Sequence, residues 1–137
     1  MTKKIILSIV LIFILWTALD MLIHPVLLGP SYEATQELWR PCGEMKRDLL
    51  TVSTVLGAFV LTAIYAGLVQ DKRPGTGLSL GFLLGLAGGF SMGFCSYAVQ
   101  PIPLDMAIIW SLGELLKFSL AGLLLGGLLK NRTGETS

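Results

Sequence analysis

The chain has 137 residues, 53% hydrophobic and only 14% charged, with a mean hydropathy of +0.75 and a net charge of +1. A soluble domain carries about 25% charged residues, and a disordered one needs low hydrophobicity with high net charge, so the composition excludes both. The near-zero charge gives no field to recruit nucleic acid, the two cysteines cannot build a disulfide scaffold or a Cys-rich zinc site, and the single histidine cannot supply a bis-imidazole haem within one chain.

The apolar residues fall into four runs, which predict an all-α polytopic membrane protein: one integral domain over 1–137, four transmembrane helices in an up-down bundle. At about 1.5 Å per residue, a run of about 20 residues crosses a hydrocarbon core of roughly 30 Å. The first run is Ile5–Ile23, preceded by Lys3 and Lys4. It is too long for a signal-peptide core, and Leu19, Asp20 and Met21 stand where a small-residue cleavage site belongs, so it reads as a retained helix.

A polar loop, Pro25–Asp48, follows. Ser31 after Pro30 is a candidate helix cap, with Glu33 placed for the helix dipole. Glu33 and Glu37 share a face, Arg40 is within reach of Glu37, and Pro41 ends the turn. Tyr32, Leu38 and Trp39 add amphipathic surface, which predicts a short interfacial helix near Tyr32–Trp39 at headgroup level.

The second run is Leu49–Val69, and Gln70–Gly77 is a polar turn with Pro74 and Gly75 as breakers. The third run, Leu78–Val99, carries the most specific pattern in the chain: Gly77, Gly81, Gly85, Gly89 and Gly93 recur every four residues. Glycine weakens a helix, and the usual return in a membrane is close approach of two backbones. Phe82, Leu86, Phe90 and Phe94 form the bulky stripe beside it, and shorter small-residue pairs occur at Ser53/Gly57, Ala63/Gly67 and Gly122/Gly126. The stripe serves packing within the chain, docking onto a second copy or a larger membrane complex, or a water-lined path along the glycines.

Gln100–Asp105 is stiffened by Pro101 and Pro103, and the fourth run is Met106–Leu129. The tail Asn131–Ser137 is polar and is expected to fray. Lys3, Lys4, Lys72, Arg73, Lys130 and Arg132 fall on one side of such a bundle, and Arg40, Lys46 and Arg47 on the other. That excess places both termini in the cytoplasm of a bacterial inner membrane.

Four ionisable residues lie inside or at the ends of the runs. Asp20 and His24 are four apart, Glu114 and Lys117 three apart, so each pair shares a helix face. Charges in hydrocarbon are costly and turn toward the bundle interior. One reading has Lys117 neutralise Glu114 while Asp20 orients His24; the other makes the four a route for protons, ions or a solute, or a sensor. At the outer ends of the runs, Met21, His24, Cys42, Met45, Met92, Cys95 and Met106 are soft donors suited to Cu(I). The same placement permits a Cys42–Cys95 disulfide, or incidental packing. No metal-ligand spacing supports the copper reading, so no cofactor is firmly implied.

Catalytic templates fail. The chain holds no nucleophile elbow, no HExxH and no phosphate loop. The stretch Asp20-x3-His24, Tyr32-Glu33-Ala34-Thr35, Leu38-Trp39-Arg40-Pro41, with the later Gly93 to Pro101-Ile102-Pro103, resembles uncharacterised small four-span bacterial membrane proteins. That resemblance implies the fold and carries no activity. The expectation is therefore a structural or accessory protein that docks through the glycine face or through the loop bearing Glu33, Glu37, Trp39 and Arg40. The alternatives are proton, ion or solute handling by Asp20, His24, Glu114 and Lys117, and outer-face metal or redox handling by His24, Cys42 and Cys95.

Overall fold

A computed structural model describes residues 2–131, so Arg132 and the tail to Ser137 lie outside the described residues. The described chain is all helical. Helix α1 is Thr2–Leu22, α2 is Gly29–Ala34, α3 is Arg47–Leu68, α4 is Pro74–Val99 and α5 is Leu104–Leu128. Four of these, with α1 extended through Leu27 by a π-helical turn, are long and apolar enough to cross a membrane. Their bounds differ from the four sequence runs by a few residues at most, because capping prolines and polar first turns extend a helix beyond its apolar part.

The largest shared surface joins α4 to α5. The five glycines predicted to bring backbones together are all buried there. A Cβ on Gly77 or Gly81 would collide with the carbonyl of Gly122 or Phe118, and one on Gly85 would lie 2.9 Å from Leu115 Cα. The Gly122/Gly126 pair on α5 meets α4 in the same way. Contacts from Gly77 with Gly122 through Gly93 with Ala107 run in opposite chain directions, so the two helices are antiparallel. Ser111 Oγ adds a hydrogen bond across the seam to Gly89 O at 2.9 Å. The glycine stripe is thus covered by α5 of the same chain, while Phe82, Leu86 and Phe90 remain exposed on the opposite side.

Helix α1 packs on α5 and on α3. One core cluster gathers Ile12 and Trp16 of α1, Ala58, Leu61 and Tyr65 of α3, and Ala121 and Leu125 of α5. Gly57 of α3 lets Trp16 approach, since a Cβ there would be 3.0 Å from the indole. At this end Lys4 Nζ donates to Leu128 O, Tyr65 Oη to Arg73 O, and Asn131 Nδ2 to Gln70 O. Asn131, expected to fray, is therefore tied to the α3–α4 turn. The first ten residues of α3 stand apart: from Arg47 to Leu56 all are exposed except the half-buried Thr54.

The first loop differs from expectation. Pro25 does not end the helix. It sits in a π-helical turn, Ile23–Leu27, closed by Leu28 N donating to Ile23 O at 3.1 Å; the wider turn absorbs the missing N–H and the ring. The short helix spans Gly29–Ala34 rather than Tyr32–Trp39, and Gln36–Leu38 is a separate 3-10 turn. Ser31 caps nothing: it lies within α2, and its hydroxyl donates to Asp105 Oδ2 at 2.6 Å, clamping the loop to the start of α5. Glu33, Glu37 and Arg40 are exposed, and Glu37 and Arg40 form no ion pair among the described residues.

Candidate functional site

The four ionisable residues singled out from the sequence converge on one point. Asp20 leaves the last turns of α1, and His24 follows four residues later in the π-helical turn. Glu114 and Lys117 rise from the middle of α5. The two helices can bring them together because Gly113 leaves room for Ile23, whose Cδ1 would be 3.1 Å from a Cβ at that position. Trp16 locks the register: its Nε1 donates to Lys117 O at 2.9 Å, using a spare lone pair on a helix carbonyl.

Lys117 is the hub. It is only 7% exposed, and its Nζ donates to Asp20 Oδ1 at 2.8 Å and to Glu114 Oε1 at 2.9 Å. It also lies 5.6 Å from the Trp16 ring centroid, within cation–π range. Neither pairing read from sequence covers this arrangement. Lys117 does neutralise Glu114, but it also takes Asp20, while His24 Nε2 stands 4.0 Å from Asp20, beyond hydrogen-bond length. Two carboxylates against one ammonium leave the cluster one negative charge in excess when His24 is neutral.

The outer side of the cluster is closed by a cap that sequence reasoning did not find. His24 Nδ1 lies 2.8 Å from Tyr32 Oη, and Trp110 Nε1 donates to the same oxygen at 3.1 Å. Trp39 stands edge-on to both Tyr32 and Trp110, with ring centroids 5.2 and 6.0 Å away. Its indole donates to Thr35 Oγ1, which in turn donates to Ser31 O. Ile23, Leu28, Ile102, Met106 and Trp110 form the buried core beneath. Trp39, expected on the loop surface, is therefore half-buried against α5. Burial pushes the Tyr32 phenol above its usual range, so it is a neutral O–H donor at physiological pH.

Asp20, His24, Met92 of α4, Trp110, Glu114 and Lys117 surround a cavity of about 10 Å³, space for one water molecule. No buried side-chain nitrogen or oxygen among the described residues lacks a hydrogen-bond partner. The arrangement can hold, share and pass a proton between carboxylates, imidazole and one water.

The other candidates do not assemble. Cys42 and Cys95 are both free and exposed, not bonded to each other. Met21 and Met45 are exposed, Met106 is buried in the core, and only Met92 shares a cavity with His24. Among the described residues no group of three or more His, Cys, Asp or Glu side chains could hold a metal ion. Comparison of the chain with protein-family models, with curated proteins and with solved structures finds no match.

Proposed function

We propose that this chain is a four-span, up-down integral protein of a bacterial inner membrane, with both termini cytoplasmic, that exchanges protons through Asp20, His24, Glu114 and Lys117, as a transporter or a sensor. The orientation rests on the excess of Lys and Arg at the terminal side. One observation carries the functional reading: two carboxylates on helices far apart in sequence share a single buried lysine, with a histidine at the rim. Such groups are expensive in a bilayer, and intramembrane ionisable clusters belong by default to ion and proton pathways. The excess negative charge is met by one additional proton, and the cavity beside it has room for one water molecule to carry that proton.

The test uses purified protein in liposomes. A pH jump should drive proton entry above the rate of empty vesicles, or change the emission of the tryptophans. All three tryptophans touch the cluster or its cap. Glu114→Gln and Asp20→Asn should each abolish the response. A wild-type protein that shows neither flux nor a pH-dependent emission change between about pH 5 and 8, the range of histidine titration, would refute the reading.

A second reading, an accessory protein docking onto a membrane partner, is favoured by a separate observation: from Arg47 to Leu56 every residue of α3 except the half-buried Thr54 is exposed. The docking surface is then α3 with the loop residues Glu33, Glu37 and Arg40, since the glycine stripe is already covered by α5. Crosslinking from Ser53→Cys in native membranes, yielding a discrete adduct, supports it; a profile identical to one from a scattered lipid-facing position such as Phe90→Cys removes it.

A further inference from the structure

We propose that Tyr32 is a positioning residue that fixes the tautomer of His24, holding the imidazole proton on Nε2, facing Asp20 across the cavity; this deepens the proton-exchange reading and rests on it for its functional meaning. The argument is one of donors and acceptors. Trp110 Nε1 can only donate, so its 3.1 Å contact commits Tyr32 Oη to accept. The phenol has one proton left to give, and its other polar neighbour is His24 Nδ1 at 2.8 Å. If Nδ1 carried the proton, Tyr32 Oη would receive two N–H groups and its own O–H would point at neither. The tautomer that satisfies all three groups has Nδ1 accepting and Nε2–H facing inward.

The consequence is directional. Nε2 lies 4.0 Å from Asp20 Oδ1, and the cavity that both line has room for one bridging water. His24 therefore presents a donor to the excess negative charge and an acceptor to the cap. The groups facing it are Asp20 on α1, Tyr32 on α2, Trp110, Glu114 and Lys117 on α5, and uncharged Met92 on α4. When the imidazole gains a second proton, Nδ1 becomes a donor and the Tyr32 hydroxyl must turn away. Tyr32 belongs to α2 in the loop, so a change of charge at His24 changes the hydrogen bond that this loop residue makes to it.

The chain contains one histidine, so an imidazole ¹⁵N spectrum reports this site alone. The experiment is ¹⁵N-histidine NMR of the full chain in detergent micelles at about pH 8, above the histidine range. Wild type should show an unprotonated Nδ1 and a protonated Nε2, at a tautomer ratio about fivefold above that of Tyr32→Phe, the value of one net hydrogen bond. Trp110→Phe, which keeps an aromatic ring but frees Tyr32 to accept, should fall between. A wild-type spectrum with the proton on Nδ1 overturns the proposal, as does a folded Tyr32→Phe with both shifts unmoved. If Tyr32→Phe does not fold, Trp110→Phe decides: an unchanged spectrum sinks the proposal, a shifted one supports it. Proton flux is a separate readout, so loss of the transport reading and loss of the tautomer assignment are told apart.

Discussion

Replacing Gly81 with alanine adds a single methyl group where the structure has no space, and the outcome can be set against the same change at Gly88. At Gly81 the new Cβ collides with the Phe118 carbonyl and lies 2.8 Å from its carbon and 3.1 Å from Ser119 Cα. All three are backbone atoms, so no rotamer change relieves the contact and α5 itself must move outward. At Gly88 nothing lies within 4 Å of the added carbon. Helix propensity alone favours alanine by about 0.5–1 kcal/mol at either position. Gly88→Ala should therefore stabilise the protein by roughly that amount. At Gly81 the overpacking costs about 1–3 kcal/mol and outweighs the gain, and the displacement also loosens dispersion contacts at Gly77 and Gly85 along the same seam. After subtracting the propensity gain the expected net effect is a destabilisation of up to about 2.5 kcal/mol, which places Gly81→Ala about 1–3 kcal/mol below Gly88→Ala. Reversible unfolding of both variants in mixed micelles, followed by far-UV circular dichroism, measures the difference. The inference that backbone proximity is what the stripe provides would fail if Gly81→Ala were as stable as Gly88→Ala.

Two further expectations follow from the cluster and the thiols. Lys117→Met leaves Asp20 and Glu114 facing each other without their shared cation, which should destabilise the fold by about 3–5 kcal/mol in the same assay. Adding Asp20→Asn and Glu114→Gln to that variant should recover most of the loss, and a triple variant no better than Lys117→Met would refute the assigned pairing. Cys42 and Cys95 are exposed thiols, so mass spectrometry after maleimide treatment without reductant should find adducts on both; protein that takes up label only after reduction would show instead that they are bonded.

The four long helices are legible because each is set by a local property, an apolar run bounded by Pro, Gly or charge. The function of the glycine period is legible as well, since a stripe without side chains has few uses other than bringing backbones together. Which backbone it meets is another matter: α5 carries its own Gly122/Gly126 pair, but so do other helices carry small pairs, and Gly67 of one of them has nothing near it. The first loop departs from its local signals for a specific reason. Pro25 and Ser31 both have strong local preferences, as breaker and as cap, and tertiary contacts override both. The π-helical turn exists because Ile23 and Leu28 are buried in the core on either side of Pro25, and Ser31 serves Asp105 on a distant helix.

The site follows the same division. Its two halves were visible as spacings, Asp20 with His24 and Glu114 with Lys117, and a fuller signal lay on the same faces. Trp110, Gly113, Glu114 and Lys117 fall at helical spacing on α5, and Trp16 and Asp20 of α1 with His24 of the π-helical turn after it are spaced by four. What no spacing contains is the offset between the helices, which decides whether Lys117 serves one carboxylate or two. That offset turns on Trp16 reaching the carbonyl of Lys117 and on the absent side chain of Gly113. Shifted by one helical turn, about 5.4 Å, the same residues would make a neutral Glu114–Lys117 pair and a separate Asp20–His24 pair, each self-contained. The observed register instead concentrates the charge imbalance at one point and sets the sole histidine beside it. On the proton-exchange reading, a proton arriving there compensates the charge that two helices share around Lys117.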